Sequence, residues 1–321
     1  MADSFNLKGF DSVFSSSLNN ELQDNLIEFF DWGLLKKGNY FNVDLNEQSM
    51  DGEDYSKLTM STNPNFSAGK AWQGFRKNWI WQSGITSSAG DPAPLVGTDP
   101  LVPGISGVYV DSTFYPSDTT GAYAHKVDYF NGRVVFDNPI PTGSLVQAEF
   151  SYKYINVVYA NNLPFIRELQ YRSLEDAQPN EDLVPAEMRV QLPAIAIEIV
   201  PRRTFKGYAI GGGQYVYTDV LFHCLAENEF TRNQLVDIVS FQNDKTIFLF
   251  NSNSVAKSGD FPLDGYGYPV PSALRYPDLV TKHAGNVVFL QNNIVTGMNT
   301  INSNFYAATV RTTAELIKAT I

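Results

Sequence analysis

Residues 190–250, VQLPAIAIEIVPRRTFKGYAIGGGQYVYTDVLFHCLAENEFTRNQLVDIVSFQNDKTIFLF, decide how this chain folds. Ile195, Ile197 and Ile199 recur with the two-residue period of a strand and share one face. Val216, Val220, Phe222 and Cys224 do the same in a second strand after the glycines 211–213. Thr231 and Gln234 have the spacing of a capping box, and Leu235, Ile238 and Val239 then follow at helical spacing, which predicts a helix over 231–242. Thr246 to Phe250 reads as a further short strand. The stretch is therefore strand, glycine turn, strand, helix, strand, a unit that packs well and holds no set of catalytic side chains.

Working outward, Asn20 to Lys37 reads as an amphipathic helix with Leu22, Leu26, Phe29 and Phe30 on one side, expected to lie on a sheet. Asn20 and Gln23 are spaced as a capping box, and Gly38 is placed to stop the helix. Residues 39–70 are poor in apolar side chains and read as an extended surface segment or assembly arm. Trp72, Phe75, Arg76, Trp79 and Trp81 then crowd into ten residues. They form either a local core or an aromatic anchor against a neighbouring subunit, because Trp and Arg are enriched at interface hot spots. This cluster is the candidate subunit interface.

The Gly-, Pro- and Ser-rich residues 84–104 read as a connection to a strand-rich block. Within it Asn131-Gly132 predicts a tight hairpin in which both turn residues take positive φ. Val146, Ala148, Phe150, Tyr152 and Tyr154 alternate with Gln147, Glu149, Ser151 and Lys153, as in one strand with a buried and a polar exposed face. Residues 164–174 suggest a short helix, 175–187 an acidic loop, and 286–290 and 305–313 the last strands. The expected fold class is α+β: a mainly antiparallel sheet flanked by a few helices, built from 1–100 and 159–321, with residues 101–158 inserted as a small β module.

Composition narrows the function. The 321 residues are 43% hydrophobic and 13% aromatic, ample for a core, and carry a formal net charge of −11. Such a surface repels phosphate at long range and argues against sequence-specific DNA reading. Cys224 is the single cysteine and sits on an apolar strand face, so it reads as a small hydrophobe. The first residues lack the basic and apolar runs of a signal peptide, and no window approaches about 18 consecutive apolar residues, so a soluble, cytoplasmically made chain is expected.

A search for chemistry finds little. None of His125, His223 and His283 lies near a second ligand at metal spacing, so no metal and no cofactor is expected. Gly211–Gly213 lacks the Lys and helix start of a phosphate loop, Asp44–Asp54 lacks the pattern of a calcium loop, and 104–107 is one residue short of a nucleophile elbow. Paired carboxylates in an aromatic cleft leave a carbohydrate-binding or carbohydrate-cleaving domain as an alternative.

Three segments, RVQLPAIAIEIV (189–200), KGYAIGGGQYVYTDVLFHCLAENEFTRNQLVDIV (206–239) and FYAATVRTTAEL (305–316), resemble the neck and tail-terminator proteins of tailed bacteriophages. The resemblance implies an antiparallel sheet flanked by helices and a ring, commonly hexameric. It also implies a seat on the last ring of the tail tube, where the protein ends polymerisation and docks to the head connector. The expected partners are further copies of the chain, tail tube and sheath proteins and connector proteins, with DNA only as passing cargo and no membrane. The chain is expected in the virion, assembled in the host cytoplasm. Many terminators are shorter, and the 101–158 block and the 39–82 arm are additions that suit a contractile tail. Other tail subunits, of tube, sheath or baseplate, are the nearest alternatives.

Overall fold

The computed structural model describes residues 17–48, 52–86, 93–97, 103–160, 190–207, 213–260, 263–264, 267–269, 274–302 and 304–318. The expected helix at 164–174, the acidic loop at 175–187 and most of the glycine turn lie outside them. In chain order the elements are α1 (Leu18–Leu35), β1 (Tyr40–Val43), β2 (Thr59–Met60), β3 (Ala71–Gln73), β4 (Gly107–Val110), β5 (Thr113–Pro116), β6 (His125–Asp128), β7 (Arg133–Phe136), β8 (Val146–Gln147), β9 (Phe150–Lys153) and β10 (Asn156–Tyr159). There follow β11 (Ala194–Gly207), β12 (Gln214–Ala226), α2 (Glu229–Ser240), β13 (Lys245–Phe250), α3 (Ser252–Ser258), α4 (Tyr276–Lys282), β14 (Ala284–Asn302) and β15 (Phe305–Lys318). The fold is α+β with mostly antiparallel sheets.

The chain divides into two compact units. Residues 1–32, 155–259 and 276–321 form a sheet unit, and residues 33–154 and 260–275 form a β unit. The β unit is thus larger than the 101–158 module the sequence suggests. It reaches back to Gly33 because β1 pairs with β9 and β3 with β7, so the 39–82 arm supplies strands rather than standing apart.

In the sheet unit six strands run in the order β10-β11-β12-β15-β14-β13. Ile195, Ile197 and Ile199 stand opposite Cys224, Phe222 and Val220, and the last two face Val310 and Thr312 on β15. All of these side chains are buried. The alternation read from the sequence is therefore the packing face of the sheet. Helix α1 is joined to that sheet by named contacts: the Phe30 ring lies 5.1 Å from that of Phe222, and Gln23 Nε2 donates to Ile197 O at 2.6 Å. Gln23 is thus spent on the sheet, and the helix starts two residues earlier than expected, with Ser17 Oγ accepting from Asn20 N.

Edge strand β13 has its backbone groups capped by side chains. Asn25, fully buried, donates from Nδ2 to Phe250 O at 2.9 Å and accepts from Phe250 N at 2.7 Å, completing a pair that no neighbouring strand supplies. Tyr276 donates its hydroxyl to Phe248 O at 2.6 Å. Covering an edge in this way satisfies groups that would otherwise recruit another strand. The cap of helix α2 lies three residues before the expected Thr231, and the helix starts at Glu229. Asn228 is the cap, its Oδ1 accepting from Thr231 N at 2.8 Å, and Glu229 in the first turn complements the helix dipole.

The β unit holds three small sheets, β1-β9, β2-β3-β7-β6 and β5-β4-β8, around a core that includes Trp72, Trp79, Trp81, Val108, Phe136 and Phe150. The strand expected across 146–154 is broken into β8, which pairs with β4, and β9, which pairs with β1. Its polar face is not exposed throughout, because Gln147 and Ser151 are buried. Gln147 Nε2 reaches Asn46 Oδ1, Asp54 Oδ2 and Ser56 Oγ, while Ser151 Oγ donates to Asn42 Oδ1 and accepts from Leu95 N. These bonds replace the water that an exposed face would have had. The β6–β7 hairpin forms at Asn131-Gly132, but the last pair is Asp128↔Arg133, so the loop has four residues rather than two. Only Gly132 of the expected pair has positive φ, +61°, while Asn131 is held by the Asp128 carboxylate through both its N and Nδ2. A Cβ at Gly132 would run into Arg76 O.

Candidate assembly surface

The five residues of the candidate interface separate into two groups. Trp72, Trp79 and Trp81 are buried in the core of their own unit, Trp79 to 1% exposure, and so present no ring to a neighbour. Trp79 stacks on Phe150 at 4.0 Å between centroids and donates its indole N–H to Arg76 O at 2.8 Å, while Trp72 donates to Gly69 O. Gly74 is required beside Trp79, since a Cβ there would come within 2.7 Å of the indole. Phe75, 42% exposed, and Arg76 are the two members left at the surface.

From that buried pair a run of rings leads outward. Phe150 lies 6.3 Å from Phe75, Phe75 stacks on Tyr55 at 4.6 Å and meets Tyr152 edge-on at 5.5 Å. Tyr152 lies 5.7 Å from its cross-strand partner Phe41, and Phe41 meets Tyr154 edge-on at 5.5 Å. The Arg76 guanidinium sits 5.8 Å from the centroid of the Tyr152 ring. Burial raises the Tyr152 hydroxyl above its ordinary pKa against the opposing pull of Arg76, so it stays a neutral hydrogen-bonding group. Phe41, Phe75 and Tyr154 are exposed, giving an aromatic ridge backed by the core. The sequence signal for it was the continuation of the Phe150, Tyr152, Tyr154 alternation past the buried end of the strand. Phe41 carried no such signal.

The sheet unit has its own exposed apolar side chains: Phe230 and Phe241 at the two ends of α2, Phe248 on β13, and Ile294 and Met298 on β14. Phe248 and Tyr276, with Phe29, Lys245 and Val280, line a groove of about 280 Å3. The 251–283 region contains α3 and α4.

The candidate chemical groups are placed as follows. His223 and Cys224 point to opposite faces of β12. His223 has Nε2 3.0 Å from Glu198 Oε2 and Nδ1 3.3 Å from Thr309 Oγ1. Cys224 is buried, and desolvation pushes its thiol up to about 12. His283 Nδ1 lies 2.8 Å from Ser254 Oγ, while its carbonyl accepts from Asn251 N, an arrangement that fastens α3 to the start of β14. The His125 ring lies tilted 5.7 Å from that of Phe136 and has Nδ1 2.9 Å from Tyr123 O, and burial holds its pKa below the ordinary value. Among the described residues no three His, Cys, Asp or Glu side chains converge as a metal site, and no helix is long and apolar enough to cross a membrane.

Compared with known proteins, the chain matches no protein-family model, and no curated protein is similar to it in sequence.

Proposed function

We propose that this chain is a structural subunit of a tailed-bacteriophage virion, a neck or tail-terminator protein that closes into a ring. In that role it caps the tail tube and sheath and joins them to the head connector. The observation that carries the reading is the unit β11–β12–α2–β13, in which a long hairpin, a helix and a returning strand belong to one sheet that is antiparallel except for the β10–β11 pair. That unit contains the segment whose sequence resembles the terminators. The contiguous exposed rings of the β unit fit a surface that is covered in an assembly, because contiguous apolar surface is rare on a protein that works alone. A formal charge of −11 per subunit fits a ring through which DNA slides without being held. A ring needs two unlike patches that meet between identical neighbours. The test is the mass of the purified full chain by light scattering. The reading expects a fixed multiple of the subunit mass, six being the number the resemblance implies, unchanged over a wide concentration range; a monomer at every concentration removes it.

The aromatic ridge favours a second reading, a carbohydrate-binding tail-fibre domain, since sugar rings stack on exposed aromatic faces. Glycan-array binding that is lost in Phe75→Ser would support it.

A further inference from the structure

Past the end of β10, strand β11 runs on as an edge ribbon with its own charge, backed by β12, which stays paired with β15 as far as Gln214. From Ile199 to Thr218 the chain has three cations, Arg202, Arg203 and Lys206, and no acid. Of the acids around it, Glu198 lies against His223, Asp219 pairs with Arg311, and Glu315 on β15 stands opposite Tyr217 and accepts from Gln291. Among the described residues none of the three cations enters an ion pair. Strand β10 pairs with β11 only along Ala194–Ile197, so among the described residues no strand lies against the outer edge of β11 from Val200 onward.

The ribbon is built rather than frayed. A bulge between Ile199 and Arg203 re-aims β11, and Thr218 Oγ1 closes it by donating to Val200 O at 3.0 Å. Beyond the bulge, pairing resumes from Arg203↔Thr218 to Gly207↔Gln214. Lys206 Nζ sits 5.0 Å over the Tyr217 ring, and Phe205 is 55% exposed between the cations.

We infer that this basic edge docks on an acidic surface of a second copy of the chain, as one of the two unlike patches that close the ring. The inference rests on the ring reading. Taking the three cations out of the formal −11 leaves −14 on the rest of the subunit, so each copy carries an excess of acidic groups for its neighbour's ribbon to meet. Cations on an edge strand also discourage stray strand pairing, but that role has no use for an exposed Phe205 beside them. At a docked edge the ring supplies apolar contact and the cations supply direction. Duplex DNA is the other polyanion to consider. Each copy brings its three cations to the ring on a subunit whose net charge of −11 repels phosphate at long range, which favours a protein partner over DNA.

The experiment compares the full wild-type chain with Arg202→Glu/Arg203→Glu/Lys206→Glu, with the milder Gln triple variant, and with the charge-preserving Arg202→Lys/Arg203→Lys/Lys206→Arg. Light scattering over a concentration series is run at about 0.1 M and 1 M salt, where the screening length falls from about 10 Å to 3 Å. Circular dichroism confirms that each variant is folded, and the Gln variant stands in should the Glu variant fail. The expected result is at least a tenfold rise in the concentration needed for ring formation in the Glu or Gln variant and on adding salt, with the charge-preserving variant unchanged. A wild-type ring that the Glu and Gln variants leave intact overturns the ribbon while the ring reading stands. A wild type that stays monomeric removes both. Loss of a duplex-DNA gel shift in the Glu variant with its ring intact assigns the ribbon to nucleic acid instead and also overturns the inference.

Discussion

In the sheet unit the strands run to as many as 19 residues, apolar side chains alternate along β11 and β12, and one face of the sheet is buried against α1. In the β unit none of the nine described strands exceeds four residues, and the pieces are joined by a stacked Trp79–Phe150 pair and by buried amides and hydroxyls. The first unit gets its register from periodicity, since a one-residue slip would turn every isoleucine of β11 to the wrong face. The second has strands too short for periodicity to fix anything, so specific contacts set the register. The difference teaches where each unit is vulnerable. A long sheet spreads its stability over many equivalent contacts, whereas a patchwork of short sheets concentrates it in a few.

The largest effect expected from this contrast is at Trp79. Trp79→Ala removes the stacked partner of Phe150 and leaves a cavity in the β unit, and a loss of about 3–5 kcal/mol is expected. Hydrogen exchange should quicken in β3, β7 and β9 far more than in β12 and β15; equal quickening in both sets would erase the comparison. Next comes Asn25→Ala, at a place where the sheet unit relies on a single polar side chain. It strands the buried N–H and C=O of Phe250, and at roughly 1–3 kcal/mol for an unsatisfied buried group the cost should be about 3 kcal/mol in denaturant unfolding. A change below about 1 kcal/mol would mean that another group completes the edge of β13.

A smaller effect is expected from His125 in the β unit. Its folded pKa lies below the unfolded value because burial disfavours the imidazolium, with the Tyr123 carbonyl and Asp137 opposing only in part. The unfolded chain therefore binds the proton first as pH falls, and stability drops below about pH 6.5 by at most about 1.4 kcal/mol per pH unit. Melting curves of His125→Gln should lack that component of the pH dependence; an unaltered dependence would place it elsewhere. The smallest effect concerns Cys224. With its thiol buried and pushed up to about 12, alkylation near pH 8 should be negligible in the folded chain and complete in denaturant. Rapid labelling of the folded chain would show that the β12 face opens readily.

The same contrast governs what could be read from the sequence. Ile195 to Ile199, Val216 to Cys224 and the α1 stripe were legible because each pattern repeats several times along one long element. The start of α2 was misplaced because Asn228 and Thr231 are both competent caps three residues apart, and only the reach of Asn228 Oδ1 to the Thr231 N–H decides between them. In the β unit, Gln147 and Ser151 looked like an exposed face because polarity says nothing about burial when partners such as Asp54 and Asn42 are far away in sequence. The tight β4–β5 turn at Asp111-Ser112 carries positive φ without glycine and so gave no signal. Of the candidate interface, the aromatic cluster was visible at once. Which rings face inward was not, since Trp79 and Phe75 differ only in which of them Phe150 covers.

The ring is the central claim, and the most direct measurement is an electron-microscope image of the purified full chain mixed with tail tubes. The account predicts closed rings of one size in the protein alone and a ring seated on one end of each tube. Tubes with both ends bare, beside protein that forms no ring, would contradict it.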